Sequence, residues 1–179
     1  MRALYEILVN RLSEYKIPVT IIVIGRSALP FYDLPDEYTY DLDFEFSTND
    51  ERLSARLFDI IKKVLSEIGI PANFGSSIDR WSVIPMPVGY RNRIKTTIER
   101  DKVRLCVLDP ADYVISKLRR GTSSDQADAN KVMEKFGVTK NDLENRFKMI
   151  EPVRDTEMFL FIQRFKSFVE SVYPAVPET

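Results

Sequence analysis

The chain has 179 residues, 44% of them hydrophobic and 30% charged, with a net charge of −1, one cysteine and no histidine. That length and composition suit one domain, or a domain with a small appendage, and the balanced charge excludes a global field that would draw the chain onto nucleic acid or a membrane. The missing imidazole excludes Ser-His-Asp and Cys-His catalysis, and the lone cysteine excludes an internal disulfide, so any chemistry must run on carboxylates, lysine, arginine, hydroxyls and metal.

Leu4, Ile7, Leu8 and Leu12 recur at helical spacing and predict an amphipathic helix over 2–15. Glu6 interrupts its apolar stretch and no signal-peptide cleavage pattern follows, so a cytoplasmic protein with no membrane partner is expected. Val19 to Ile24 is a β-branched run and predicts a buried central strand. Gly25 ends it, Ser27 to Phe31 predict a turn or short helix, and an acidic strand is expected over 38–46. Thr48 to Glu51 reads as a capping box for a helix whose apolar face runs from Leu53 to Ile68 and which Gly69 and Pro71 stop. Trp81 to Val88 reads as a strand pushed to a sheet edge by Pro85 and Pro87. Residues 93–99 and 103–108 read as a hairpin turning at Arg100 to Lys102, with Cys106 as a small core residue.

Four helices are expected after that. The first starts at the Asp109 cap with Pro110 in its first position and stops at Gly121. The second is capped by Ser123 or Ser124 and ends at Gly137, the third runs from Thr139 to near Ile150, and the last spans 155–172. The order predicts an α+β fold: a small mixed β-sheet with flanking helices over 1–108, followed by a C-terminal helical region over 109–179 packed on that core.

The acidic strand is the most informative segment. Alternation places Tyr40, Leu42, Phe44 and Phe46 on a greasy face and Asp41, Asp43 and Glu45 on the other. Neighbouring carboxylates on one strand face lie about 7 Å apart, which at an effective dielectric near 20 costs about 2.4 kcal/mol per adjacent pair. A divalent cation converts that repulsion into a binding site, because hard cations take carboxylate oxygens. The alternative is a plain solvated strand face.

Val23 to Leu29, with Gly25, followed by Asp-Leu-Asp at 41–43, resembles the nucleotidyltransferase superfamily: a strand, a glycine turn, a short helix, then a strand bearing Asp-x-Asp. Leu108 to Gly121, followed by Asp125-Gln-Ala-Asp128, is similar to its minimal and abortive-infection (AbiEii-like) branch. The resemblance implies a Mg²⁺-dependent transfer of a nucleotidyl group from a nucleoside triphosphate to an RNA such as tRNA, a protein or a small-molecule hydroxyl, as part of a toxin–antitoxin pair. In that reading Asp41 and Asp43, with Glu45 as a third metal-side carboxylate, hold two Mg²⁺ ions, or Mn²⁺, across an in-line displacement. Gly25 lets the backbone approach a ligand, and the following amides with the Ser27 hydroxyl hold triphosphate oxygens. Lys117 pairs with phosphate, and Asp125 and Asp128 reach the base, ribose or metal; their alternative is a favourable acidic first turn.

Two departures from the superfamily pattern stand out. Arg26 occupies the second place of the turn, where it either clamps phosphate or blocks the pocket. No acid lies in the expected neighbouring strand at 81–87, which leaves Glu45 or Asp79 as third carboxylate and opens a second reading, a catalytically degenerate nucleotide-binding or protein-interaction module. Arg91, Arg93, Lys95, Arg100, Lys102 and Arg104 gather around the hairpin, as an RNA contact or a solvated surface. The aromatic stripe of the last helix (Phe159, Phe161, Phe165, Phe168) serves the core or a homodimer contact.

Overall fold

The β-branched run after Pro18 forms β1 (Val19–Val23), and burial of every residue but Thr20 explains its near-continuous apolar character. The computed structural model describes residues 1–35, 40–48 and 51–174. They form an α+β fold with two units, one of Met1–Arg80 and Arg91–Asp109, the other of Trp81–Tyr90 with the chain from Pro110.

In the first unit β1 pairs antiparallel with β2 (Leu42–Ser47), and β2 pairs parallel with β3 (Ala72–Gly75). On its other side β1 pairs parallel with β5 (Val103–Val107), which closes a hairpin with β4 (Lys95–Arg100). The five-stranded mixed sheet therefore has the order β3-β2-β1-β5-β4. The helices α1 (Arg2–Ser13) and α2 (Glu51–Ile68) supply the apolar cover. Phe44 and Phe46 of β2 meet Tyr5 of α1 and Phe58 of α2, with ring centroids 6.3 and 6.2 Å apart. Alternation thus sends the apolar residues of β2 to the helices and leaves the acids on the opposite face.

Three expectations need correction here. Tyr40 does not join the greasy face: β2 begins at Leu42, and Tyr40, ahead of the regular pairing, is 79% exposed. Trp81 to Val88 is not a strand; a short 3-10 helix at Ile78–Trp81 runs into irregular chain. Pro85 and Pro87 remove two of the N–H groups a ladder needs. The strand beside β2 is β3, which is four residues long and too short to show a period. The expected capping box at Thr48 to Glu51 reaches into residues outside the described ones.

The second unit holds α3 (Pro110–Arg120), α4 (Ser123–Phe136), α5 (Lys140–Lys148) and α6 (Thr156–Val172). Val114, Ile115 and Leu118 of α3 pack with Leu143, Phe161 and Phe165 from α5 and α6. Phe161, Phe165 and Phe168 are core residues, whereas Phe159 is exposed. The α4 cap is Thr122, one residue earlier than expected: its hydroxyl accepts from Asp125 N while the Asp125 carboxylate accepts from Thr122 N, a reciprocal capping box that neither serine completes. No helix among the described residues is long and apolar enough to cross a membrane.

Candidate functional site

Three sequence-distant pieces of the first unit meet at the end of β2. The turn after β1 contributes Gly25, in a backbone conformation (φ 63, ψ −158) that side chains avoid. A Cβ at Gly25 would lie 2.5 Å from Asp43 Oδ2, so the glycine is what lets the Asp43 carboxylate rest against the turn. The turn is held to the strand by backbone: Ile24 N donates to Asp43 O at 2.9 Å.

Ser27 secures the same junction from within. Its hydroxyl donates to Ile24 O at 2.9 Å and accepts from Asp43 N at 3.2 Å. The Tyr5 hydroxyl lies 2.8 Å from Ser27 Oγ and donates to Asp43 O at 2.9 Å. Burial, above all, pushes the Tyr5 phenol well above its ordinary pKa, which keeps it a neutral donor. Ser27 is wholly buried, so its hydroxyl serves the turn and faces away from solution. Arg26, the next residue along from Gly25, is half-buried.

Asp43, on the face of β2 opposite the helices, and Asp41, one residue ahead of the strand, are both half-buried. They converge. Asn73 of β3, directly opposite Asp43 in the register, donates its amide nitrogen to Asp41 Oδ2 at 2.7 Å and to Asp43 Oδ1 at 3.0 Å. Two carboxylate oxygens within hydrogen-bond reach of one nitrogen are a hard-oxygen donor set focused on one point. That set fits a Mg²⁺ or Mn²⁺ ion, which is commonly held by one or two carboxylates while substrate phosphates and water complete the shell.

Glu45, the third acid of the strand, has a different environment. It is completely buried, and both its oxygens are engaged: Oε1 accepts from Arg91 Nε at 2.6 Å, and Oε2 accepts from Ile78 N at 2.6 Å. Arg91 also donates to Ser76 O at 3.1 Å, so the Glu45–Arg91 pair ties down the chain that leaves β3. Asp79 lies in the 3-10 helix just after. Among the described residues no group of three or more acidic or thiol side chains is placed to hold a metal together.

Lys117, Asp125 and Asp128 belong to the second unit and form a cluster of their own. Lys117, 4% exposed, donates to Asp128 Oδ2 at 2.7 Å and to Asp125 Oδ1 at 3.3 Å. Arg120 grips Asp125 with two nitrogens at 2.6 and 2.7 Å, and Thr122 Oγ1 adds a third bond at 2.7 Å. Burial alone would raise the Asp125 pKa; the bonds from Arg120 and Thr122 and the Lys117 charge outweigh it and hold the group at about 2. The lysine is therefore buried and paired with two carboxylates of its own unit, and Asp125 combines the capping role with an ion pair.

Sequence reasoning missed Asn73. Its only local signal is its place two residues past the Pro71 helix stop, in a four-residue stretch with no readable alternation. Among curated proteins and solved structures, none matches the chain. A family model described as "Nucleotidyltransferase of unknown function (DUF6036)" matches residues 2–156, which take in the turn, the acidic strand, β3 and the Lys117 cluster. The chain belongs to this nucleotidyltransferase family.

Proposed function

We propose that the protein transfers a nucleotidyl group from a nucleoside triphosphate to a hydroxyl acceptor, with Asp41 and Asp43 holding the divalent cation. The observation that carries this reading is the convergence of those two carboxylates on one point beside the Gly25 turn, in a chain whose family is one of nucleotidyltransferases. A bound Mg²⁺ would supply charge neutralisation for the triphosphate and acidify the acceptor hydroxyl. The chain's own residues position. Gly25 lets Asp43 lie against the turn without a side chain between them, and Ser27 and Tyr5 lock that turn to β2; Arg26, next along the turn, would meet phosphate. Phosphoryl transfer asks for little more, since its transition state is stabilised mainly by position and charge.

A second reading, a nucleotide-binding module without transfer, is favoured by one observation: Glu45, the only other acid on that strand face, is committed to Arg91 and Ile78. One experiment separates the two. Thermal shift with Mg²⁺ and each nucleoside triphosphate reads binding, which raises the melting temperature by mass action. Labelled-nucleotide transfer onto total tRNA, onto protein and onto small-molecule hydroxyls then reads chemistry and names the acceptor, with Asp43→Ala as control. Transfer lost in Asp43→Ala supports the enzyme; binding without transfer in the wild type supports the module; neither binding nor transfer overturns both. The toxin role implied by resemblance depends on that acceptor, tRNA or protein labelling being what a toxin of this chemistry would show.

A further inference from the structure

We infer that Asn73 fills the third ligand position beside Asp41 and Asp43 with a neutral amide, its nitrogen turned to the carboxylates in the cation-free protein and its oxygen turned to the cation once one is bound. This inference rests on the carboxylate site proposed above. It starts from the register: β2 and β3 run parallel with Asp43 opposite Asn73, so the two side chains leave the sheet on one face. Neighbouring strands lie about 4.8 Å apart, close enough for one short side chain to span both acids. Asn73 does so, at 2.7 Å from Asp41 and 3.0 Å from Asp43.

The orientation follows from chemistry. Ionised carboxylates only accept hydrogen bonds, so the amide must present its nitrogen to them. Two N–H groups aimed at two like charges offset part of their repulsion, as a cation would do more completely. An amide carries no net charge, so the offset is partial and the bridge remains exchangeable. Its N–H groups cannot ligate a metal, whereas its carbonyl oxygen is a hard donor of the kind magnesium and calcium sites use. Asn73 is exposed, and the terminal amide torsion is soft and roughly two-fold, so a half-turn swaps nitrogen for oxygen without moving the strand. Glu45 does not compete for the position, since both its oxygens are engaged elsewhere. The cation therefore meets two negative charges and one neutral oxygen.

The test is Mn²⁺ binding to the full chain without nucleotide, read by the electron paramagnetic resonance signal of free Mn²⁺. Asn73→Asp should tighten binding at least tenfold by adding a third charge. Asn73→Leu, which keeps the size and removes the oxygen, should loosen it at least threefold. Asn73 is exposed, so Asn73→Leu should unfold in urea close to the wild type, whereas Asn73→Asp should be less stable without cation, from the added repulsion, and recover when Mn²⁺ is added, which separates a ligand effect from misfolding. Affinities within twofold of the wild type in both variants, with binding abolished by Asp43→Ala, would overturn the role of Asn73 and leave the carboxylate site standing. Unchanged binding in Asp43→Ala, or no binding at millimolar Mn²⁺ in either the wild type or Asn73→Asp, would remove the site itself.

Discussion

Gly25 lies against the Asp43 carboxylate with no room for a side chain: a Cβ there would sit 2.5 Å from Oδ2. The glycine also holds φ 63 and ψ −158, a region that residues with a Cβ enter only under strain. One position thus serves both the path of the chain and the placing of a charged group. Gly25→Ala is expected to lower stability by about 1–3 kcal/mol from the backbone alone. It must also displace Asp43, so Mn²⁺ affinity and nucleotidyl transfer should fall with it. Urea unfolding and a Mn²⁺ titration on the same sample check both halves.

Glu45 and Arg91 predict an ordering of variants. Arg91→Ala removes the guanidinium that faces a wholly buried carboxylate at 2.6 Å, and removing one member of such a pair costs about 3–5 kcal/mol. Glu45→Gln keeps an oxygen for Ile78 N and leaves Arg91, which is about half exposed, able to reach water. It should cost less, about 1–3 kcal/mol. Neither variant should change Mn²⁺ affinity as far as Asp43→Ala does. Denaturant midpoints that reverse the order would contradict the pairing.

Lys117 sits among buried acids, and its loss exposes that dependence. Lys117→Met keeps the apolar stem and removes the charge that faces Asp125 and Asp128, at 3.3 and 2.7 Å. The expected destabilisation is about 3–5 kcal/mol, since Asp128 loses a buried counter-charge. Lys117→Met combined with Asp128→Asn should recover part of it, a coupling that a double-mutant cycle in urea measures directly.

Acid should weaken the fold through Asp125. Its folded pKa lies at about 2, below the ordinary 3.8. A carboxylate depressed on folding contributes stability above its unfolded pKa and loses it as pH falls through the folded value. The contribution, about 2 kcal/mol, is therefore present above about pH 4 and gone near pH 2. Asp125→Asn should be less stable than the wild type at pH 6, with the gap narrowing toward pH 2. Urea unfolding of the two proteins at both pH values isolates this group from the other acids that titrate in the same window.

Local chemistry was legible in the sequence. β-branched residues at Val19 to Val23, turn residues around Asp101, the Thr139 cap and the helical spacing of Phe161, Phe165 and Phe168 each act over a few positions, and the molecule places a strand, a hairpin, a cap and a buried face there. Alternation likewise placed Asp43 and Glu45 on the face opposite Phe44 and Phe46, because the period of a strand is a property of the strand alone. The partners of those acids were decided elsewhere. Asp43 faces Asn73 and Glu45 faces Arg91 across sequence separations of 30 and 46 residues. No periodicity spans such a gap; strand order and register set it. The tertiary structure alone therefore made two similar carboxylates on one strand differ, one converging with Asp41 on a shared point and the other sealed into an ion pair.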